Sequence, residues 1–162
     1  MEISSNNLDD ILYLQSVLNH IPTERVIGKL YISSRTALNN HQKFSIDHLI
    51  TLFKFDTKIK TIKHDIYDVK DSLNSEDVAE FSGHLDSISR SIHKSLMEGK
   101  NVCVHCHAGI SRSATVVADY LLEYHNTGES TLQYIKKFRP IINPNPAFVE
   151  LLNHRHNVKL DW

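Results

Sequence analysis

The stretch from Asn101 to Thr115, NVCVHCHAGISRSAT, decides how this chain reads. Asn101 to His105 is a short run with alternate valines, suited to a strand, and it stops abruptly at Cys106. From Arg112 to about Tyr124 the residues suit a helix. A strand, a tight loop and a helix N-terminus in immediate succession bring backbone N–H groups toward one point. Such a nest holds a tetrahedral oxyanion. Gly109 sits in the loop, where a Cβ would restrict the backbone. A cysteine at the base of the nest gains a second property. The amides, the helix dipole and a nearby guanidinium all favour its thiolate, which is the nucleophilic form. Arg112 stands at the far side of the loop, with five residues between it and Cys106. Its planar fork can hold two phosphate oxygens at once. The hydroxyl of Ser113 is placed to donate to the sulfur when that sulfur leaves.

Outward from this loop the chain reads as an alternation of helices and strands. Ser75 to Glu98 carries Val78, Phe81, Leu85, Ile88, Ile92 and Leu96 at steps of three and four, the stripe of a half-buried helix over about Glu76 to Glu98. Ser75 is the expected cap, Glu76 and Asp77 suit the positive end, and Gly99 suits the exit. Val26–Ser33, Leu49–Phe55 and Lys60–Ile66 read as strands, with a helical turn within Ser34–Asn40. Downstream, Ser130–Phe138 reads as a helix stopped by Pro140. A last helix has Asn145 as N-cap and Pro146 at its first position. Near the start, Leu8, Ile11, Leu12, Leu14, Val17 and Leu18 predict a helix over Leu8–Asn19, ended by Pro22. The order is that of an α/β protein, a sheet flanked by helices.

His105-Cys106 to Arg112-Ser113 resembles the Cys-x5-Arg loop of the protein tyrosine phosphatase superfamily. The longer run VHCHAGISRSAT, Val104 to Thr115, is similar specifically to the dual-specificity phosphatases. GKLYISSRTALNN (Gly28–Asn40) resembles that family's opening strand and turn, DVKDS (Asp68–Ser72) its acid loop, and RPIINPNPAF (Arg139–Phe148) the stretch before its last helix. The resemblance implies a central mixed sheet of four to five strands with surrounding helices. It implies an N-terminal extension over 1–24 and a catalytic domain over 25–158. It also implies metal-independent hydrolysis of phosphotyrosine and phosphoserine or phosphothreonine through a phosphocysteine, with no cofactor. Cys106, Arg112, Asp71 and Ser113 would be catalytic. His107, Ala108, Gly109, Ile110, Ser111 and Arg112 would bind the phosphate, and His105 and Asn145 would support the loop. Asp65 and Asp68 compete with Asp71 as the acid. Asp71 best matches the family's pattern ahead of the long helix, and Asp68 is the runner-up.

Other readings of the same residues account for less of the sequence. Cys103 to His107 spells C-x-x-C-H, a haem-attachment pattern, but it leaves Gly109, Arg112 and the helix without a purpose. Zinc or thioredoxin-like chemistry fails because Cys103 and Cys106 are three apart along a strand and face opposite ways. Cys103 reads as a buried apolar filler, with reversible oxidation to Cys106 as the weaker alternative. An RNA 5′-triphosphatase or a phosphoinositide phosphatase would carry further basic residues in the loop, where this chain has neutral Ala108, Ile110 and Ser111. A low-turnover phosphate-binding module would not need Cys106.

Composition sets the outer limits. The chain has 162 residues, one domain's worth, and a formal charge of -1 that offers no strong field to nucleic acid or an anionic membrane. Its eleven histidines are scattered and read as surface imidazoles rather than a metal site. Two cysteines make no disulfide framework, and the start has no export-signal pattern, so the expected compartment is cytoplasm or nucleus. The expected partner is a phosphoprotein. The apolar face of the Leu8–Asn19 helix would pack on its own domain, with exchange into a homodimer as the alternative.

Overall fold

The computed structural model describes residues 11–13 and 27–162. Strands β1 (Ile11–Tyr13), β2 (Leu30–Ser33), β3 (His48–Thr51), β4 (Lys63–Ile66) and β5 (Val102–His105) form one sheet in the order β1-β2-β5-β3-β4. Strands β2, β5, β3 and β4 run parallel, and β1 joins β2 antiparallel, so the sheet is mixed. Helices α1 (Ala37–Asn40), α2 (Ser75–Met97), α3 (Arg112–His125), α4 (Thr131–Phe138) and α5 (Pro146–His156) complete the frame, with a 3₁₀ turn at Gly128–Ser130.

Strand β5 lies between two parallel neighbours and is fully buried along its length. That is why VCVH is nearly continuously apolar instead of alternating. Val102, Val104 and Cys106 enter the main core, where α2 contributes Phe81, Leu85, Ile88, Ile92 and Leu96 and α3 contributes Val117, Ala118 and Leu121. Cys103 points to the other face, into a smaller cluster with Tyr31, Ala37, Ile46 and Leu49. Burial there pushes its thiol pKa far up, so it is a protonated packing group.

The expected elements appear, mostly shortened. The run read as Leu49–Phe55 pairs only to Thr51. After that, Leu52 N bonds His105 O at 3.0 Å and the chain turns over the end of β5. The cap of α2 is Asn74, not Ser75. Asn74 is extended and its side chain accepts from Glu76 N at 2.8 Å, leaving Ser75 as the first helical residue. Gly99 leaves the helix at φ +80°, as expected. The expected Leu8–Asn19 helix is corrected where it can be compared. Ile11–Tyr13 is a strand, in register Ile11↔Ser33 to Tyr13↔Tyr31. Three apolar residues fit either period, and pairing along β2 satisfies backbone groups that a helix would leave on the sheet edge. The remainder of that helix, on which the expected exchange into a homodimer rests, lies outside the described residues.

Candidate active site

All four parallel strands direct their carboxyl ends to one side, where open α/β sheets place their ligand crevice. Strand β5 ends there at His105, paired with Ser33 and Thr51. The loop from Cys106 to Ser111 follows. Each of its six carbonyls is held outward. Cys106 O lies 3.3 Å from His105 Nδ1, and His107 O accepts from Arg35 N at 3.0 Å. Ala108 O and Gly109 O accept from the Arg139 guanidinium at 3.3 and 2.8 Å. Ile110 O accepts from Asn143 N at 2.8 Å and Ser111 O from Thr115 N at 3.0 Å. A trans peptide sets the next N–H antiparallel to its carbonyl. Six carbonyls facing out therefore turn the amides of His107 through Arg112 inward. Among the described residues, the amides of His107 to Ser111 donate to nothing. Unmade donors around one centre, at the positive end of α3, call for an anion.

Two residues enforce this curl. Gly109 has φ +69°, and a Cβ added there would stand 2.5 Å from Arg139 Nη2 and 2.9 Å from Ser33 O. Arg139 is buried, at 1% exposure, and bonds two successive loop carbonyls. In the sequence Arg139 stands out only as the start of the RPIINPNPAF stretch. Its burial had no local signal, since an isolated arginine before a proline reads as surface.

Cys106 lies at the base of the loop, 2% exposed as a residue, with the Ser113 hydroxyl 3.3 Å from its sulfur. Arg112 Nη1 donates to Val69 O at 2.9 Å and Leu52 O at 3.3 Å. Those two bonds fix the guanidinium, while its Nε is buried without a partner. A buried charged donor left unmade is costly unless a ligand completes it, and a phosphate oxygen does so.

Asn145 draws the remaining pieces together. Its Oδ1 caps α5 by accepting from Phe148 N at 3.0 Å. Its backbone N–H donates to Ser111 Oγ at 2.9 Å. Its Nδ2 donates to Asp71 Oδ1 at 2.9 Å and to Ser72 O at 3.2 Å. One side chain thus joins the acid loop, the phosphate loop and a helix start. Asp71 is brought to the site in this way. Asp71 and Asp68 are both exposed, but Asp68 has only Lys70 at 3.9 Å beside it, and Asp65 is engaged by His48 at 2.8 Å. His107 is exposed beside the Phe53 ring, 5.7 Å between centroids.

His105 is buried at the foot of the loop in a chain of hydrogen bonds whose direction is determined. Ile59 N–H donates to His64 Nδ1 at 2.9 Å, so His64 carries its proton on Nε2. That N–H meets Thr51 Oγ1 at 2.7 Å, and the Thr51 hydroxyl then donates to His105 Nε2 at 2.7 Å. His105 is left with Nδ1–H, aimed at Cys106 O. Burial pushes the His105 pKa down to about 4, against the opposing pull of that carbonyl. The unfolded chain therefore takes up this proton first as the pH falls. Stability contributed by neutral His105 is complete above about pH 6.5 and is lost progressively down to about 4, where the loss levels off. The expected loss is about 3 kcal/mol, read as a falling Tm in wild type and a flatter profile in His105→Asn.

Comparison with known proteins agrees with the geometry. Residues 30–157 match the catalytic domain of the dual specificity phosphatases. The mouse dual specificity protein phosphatase 18 is 33% identical over 132 residues, covering 80% of this chain and 70% of that protein. Among solved structures, DUSP15 superposes with a TM-score of 0.71 at 28% identity, covering 83% of this chain and 86% of the other. Human DUSP28, at 20% identity and a TM-score of 0.70, shares the fold. An anion nest with a thiol at its base, on this sheet and with these relatives, belongs to one family: the chain is a dual specificity phosphatase, a hydrolase of the protein tyrosine phosphatase type.

Proposed function

We propose that the chain removes phosphate from protein side chains in two steps at Cys106. The observation that carries this is the set of six outward carbonyls, which leaves inward amides over the sulfur. In the first step the Cys106 thiolate attacks phosphorus, forming the P–S bond as the P–O ester bond breaks. Arg112 and the amides carry the charge on the equatorial oxygens. Asp71 gives its proton to the departing oxygen. In the second step Asp71 takes a proton from water, which attacks phosphorus and yields inorganic phosphate. The P–S bond breaks, and Ser113 Oγ–H donates to the leaving thiolate.

The loop holds one arginine, Arg112, and no lysine, which supports a single phosphate on a protein side chain over a polyanionic head group. Matched phosphotyrosine, phosphoserine and phosphothreonine peptides, assayed beside an aryl phosphate, test the reading. Turnover of the aryl ester and of at least one peptide is expected. No turnover of any of them would overturn it.

Two smaller effects follow from the geometry. Asp71→Asn keeps an oxygen for Asn145 but has no proton to give. It should lower kcat roughly 10²-fold on alkyl phosphates and far less on a good aryl leaving group. If Asp68→Asn shows that pattern instead, the acid is misassigned. Thr51→Val, nearly isosteric, cuts the bond chain beneath His105 and frees the Cys106 carbonyl. The expected fall in kcat is about tenfold, with Thr51→Ser close to wild type.

A further inference from the structure

Six large apolar side chains are exposed among the described residues, and four of them lie in the phosphate loop or in segments tied to it through Asn143 and Asn145. Leu73 follows the acid loop and is 68% exposed, Ile110 is in the loop itself, Ile141 lies just beyond Arg139, and Trp162 stands at 39%. The other two, Ile27 and Met97, sit at the opposite end of the sheet, where Gly28 N bonds Leu96 O. Apolar exposure concentrated in segments joined to the site suits a contact surface.

Among these segments is a groove of about 480 Å³ walled by Pro144, Pro146, Val149 and Trp162, with Asn145 at one side and Glu150 the charged residue lining it. Trp162 is held in place while exposed. Its Nε1–H donates to Asn143 Oδ1 at 3.4 Å, and Lys136 Nζ lies 5.0 Å from the ring. The groove is continuous with the site. Asn143 N holds the carbonyl of Ile110, and Asn145 bonds Asp71 and Ser111.

We infer that this groove receives an apolar side chain of the substrate polypeptide, a few residues from the phosphorylated one. The inference rests on the phosphatase reading. A phosphoresidue seated in the loop carries its own chain across the rim, and the groove is the apolar recess adjoining it. Fixed aromatic and proline walls take an aliphatic or aromatic side chain with little ordering cost. The Glu150 carboxylate repels an acidic one. Flanking sequence is thereby selected outside the phosphate pocket.

The experiment walks one leucine through each flanking position of a neutral phosphotyrosine peptide and compares kcat/KM with that for p-nitrophenyl phosphate. One register should be preferred. Trp162→Ala should lower kcat/KM about tenfold on that peptide and leave the aryl phosphate unchanged. Glu150→Lys, an exposed change, should raise turnover about threefold when the leucine is replaced by aspartate. Equal losses on peptide and aryl phosphate would overturn the inference, because Trp162 would then act only by bracing the loop through Asn143. So would the absence of any preferred register, or a change in solution mass in Trp162→Ala with unchanged peptide kinetics, which would give the groove to a second copy of the chain. Hydrolysis of aryl phosphate with no peptide turned over would instead remove the protein-phosphatase reading itself.

Discussion

Replacing Cys106 with serine is expected to abolish turnover while leaving the phosphate site intact. Cys106 is 2% exposed at the base of the loop, and the smaller oxygen fits there without displacing a neighbour. A serine hydroxyl there has no adjacent general base: its neighbour across the loop is the Ser113 hydroxyl. It therefore remains a neutral alcohol, a poor nucleophile. The loss should be at least about 10⁴-fold in kcat, in the range seen when a covalent nucleophile is removed. Binding should move the other way. A thiolate repels the dianion that sits above it, and the neutral hydroxyl does not. The rise in Tm produced by inorganic phosphate should be as large as in wild type or larger. Residual hydrolysis within a hundredfold of wild type would mean that water is activated elsewhere and that no phosphocysteine forms.

Arg112→Lys is expected to be nearly as damaging although it preserves the charge. The guanidinium does two things at once: Nη1 pins Val69 O and Leu52 O, and the buried Nε faces no protein acceptor. A lysine offers one ammonium point and cannot serve both sides. Loss of the clamp on the transferring phosphoryl group alone costs on the order of 10²–10³-fold. The second loss compounds it. Val69 lies two residues before Asp71, so unpinning its carbonyl loosens the acid loop as well. The combined effect should approach about 10³-fold or more in kcat/KM, with phosphate affinity weakened in parallel. Activity within tenfold of wild type would show that a point charge suffices.

The reach of the sequence followed the range of the forces involved. Strand, loop and helix around Cys106 were legible because their signals are local: alternate valines, a glycine at the bend, a guanidinium opening the next helix. Asn145 as a cap was legible for the same reason, with Pro146 beside it. Its bond to Asp71 was not, since 74 residues separate the two. Arg139 was hidden similarly. Its role depends on carbonyls 30 and 31 residues upstream, and only the folded chain brings them within 2.8 and 3.3 Å. His64 and Thr51 read as strand residues; their hydrogen-bonded chain to His105 exists because β3 lies between β4 and β5. The misread at Ile11–Tyr13 is of another kind. A brief apolar cluster satisfies both periods, and the choice was made by a free strand edge that no residue near it announces.

Cys103 within β5 and Cys106 just past its end lie on opposite sides of the sheet, and this sets how the protein meets peroxide. Cys103 lies in a sealed cluster across the sheet from Cys106, so the sulfenic acid formed on Cys106 has no second sulfur on its own side. Oxidative inactivation is then reversed by thiols supplied from solution, and its recovery rate tracks their concentration.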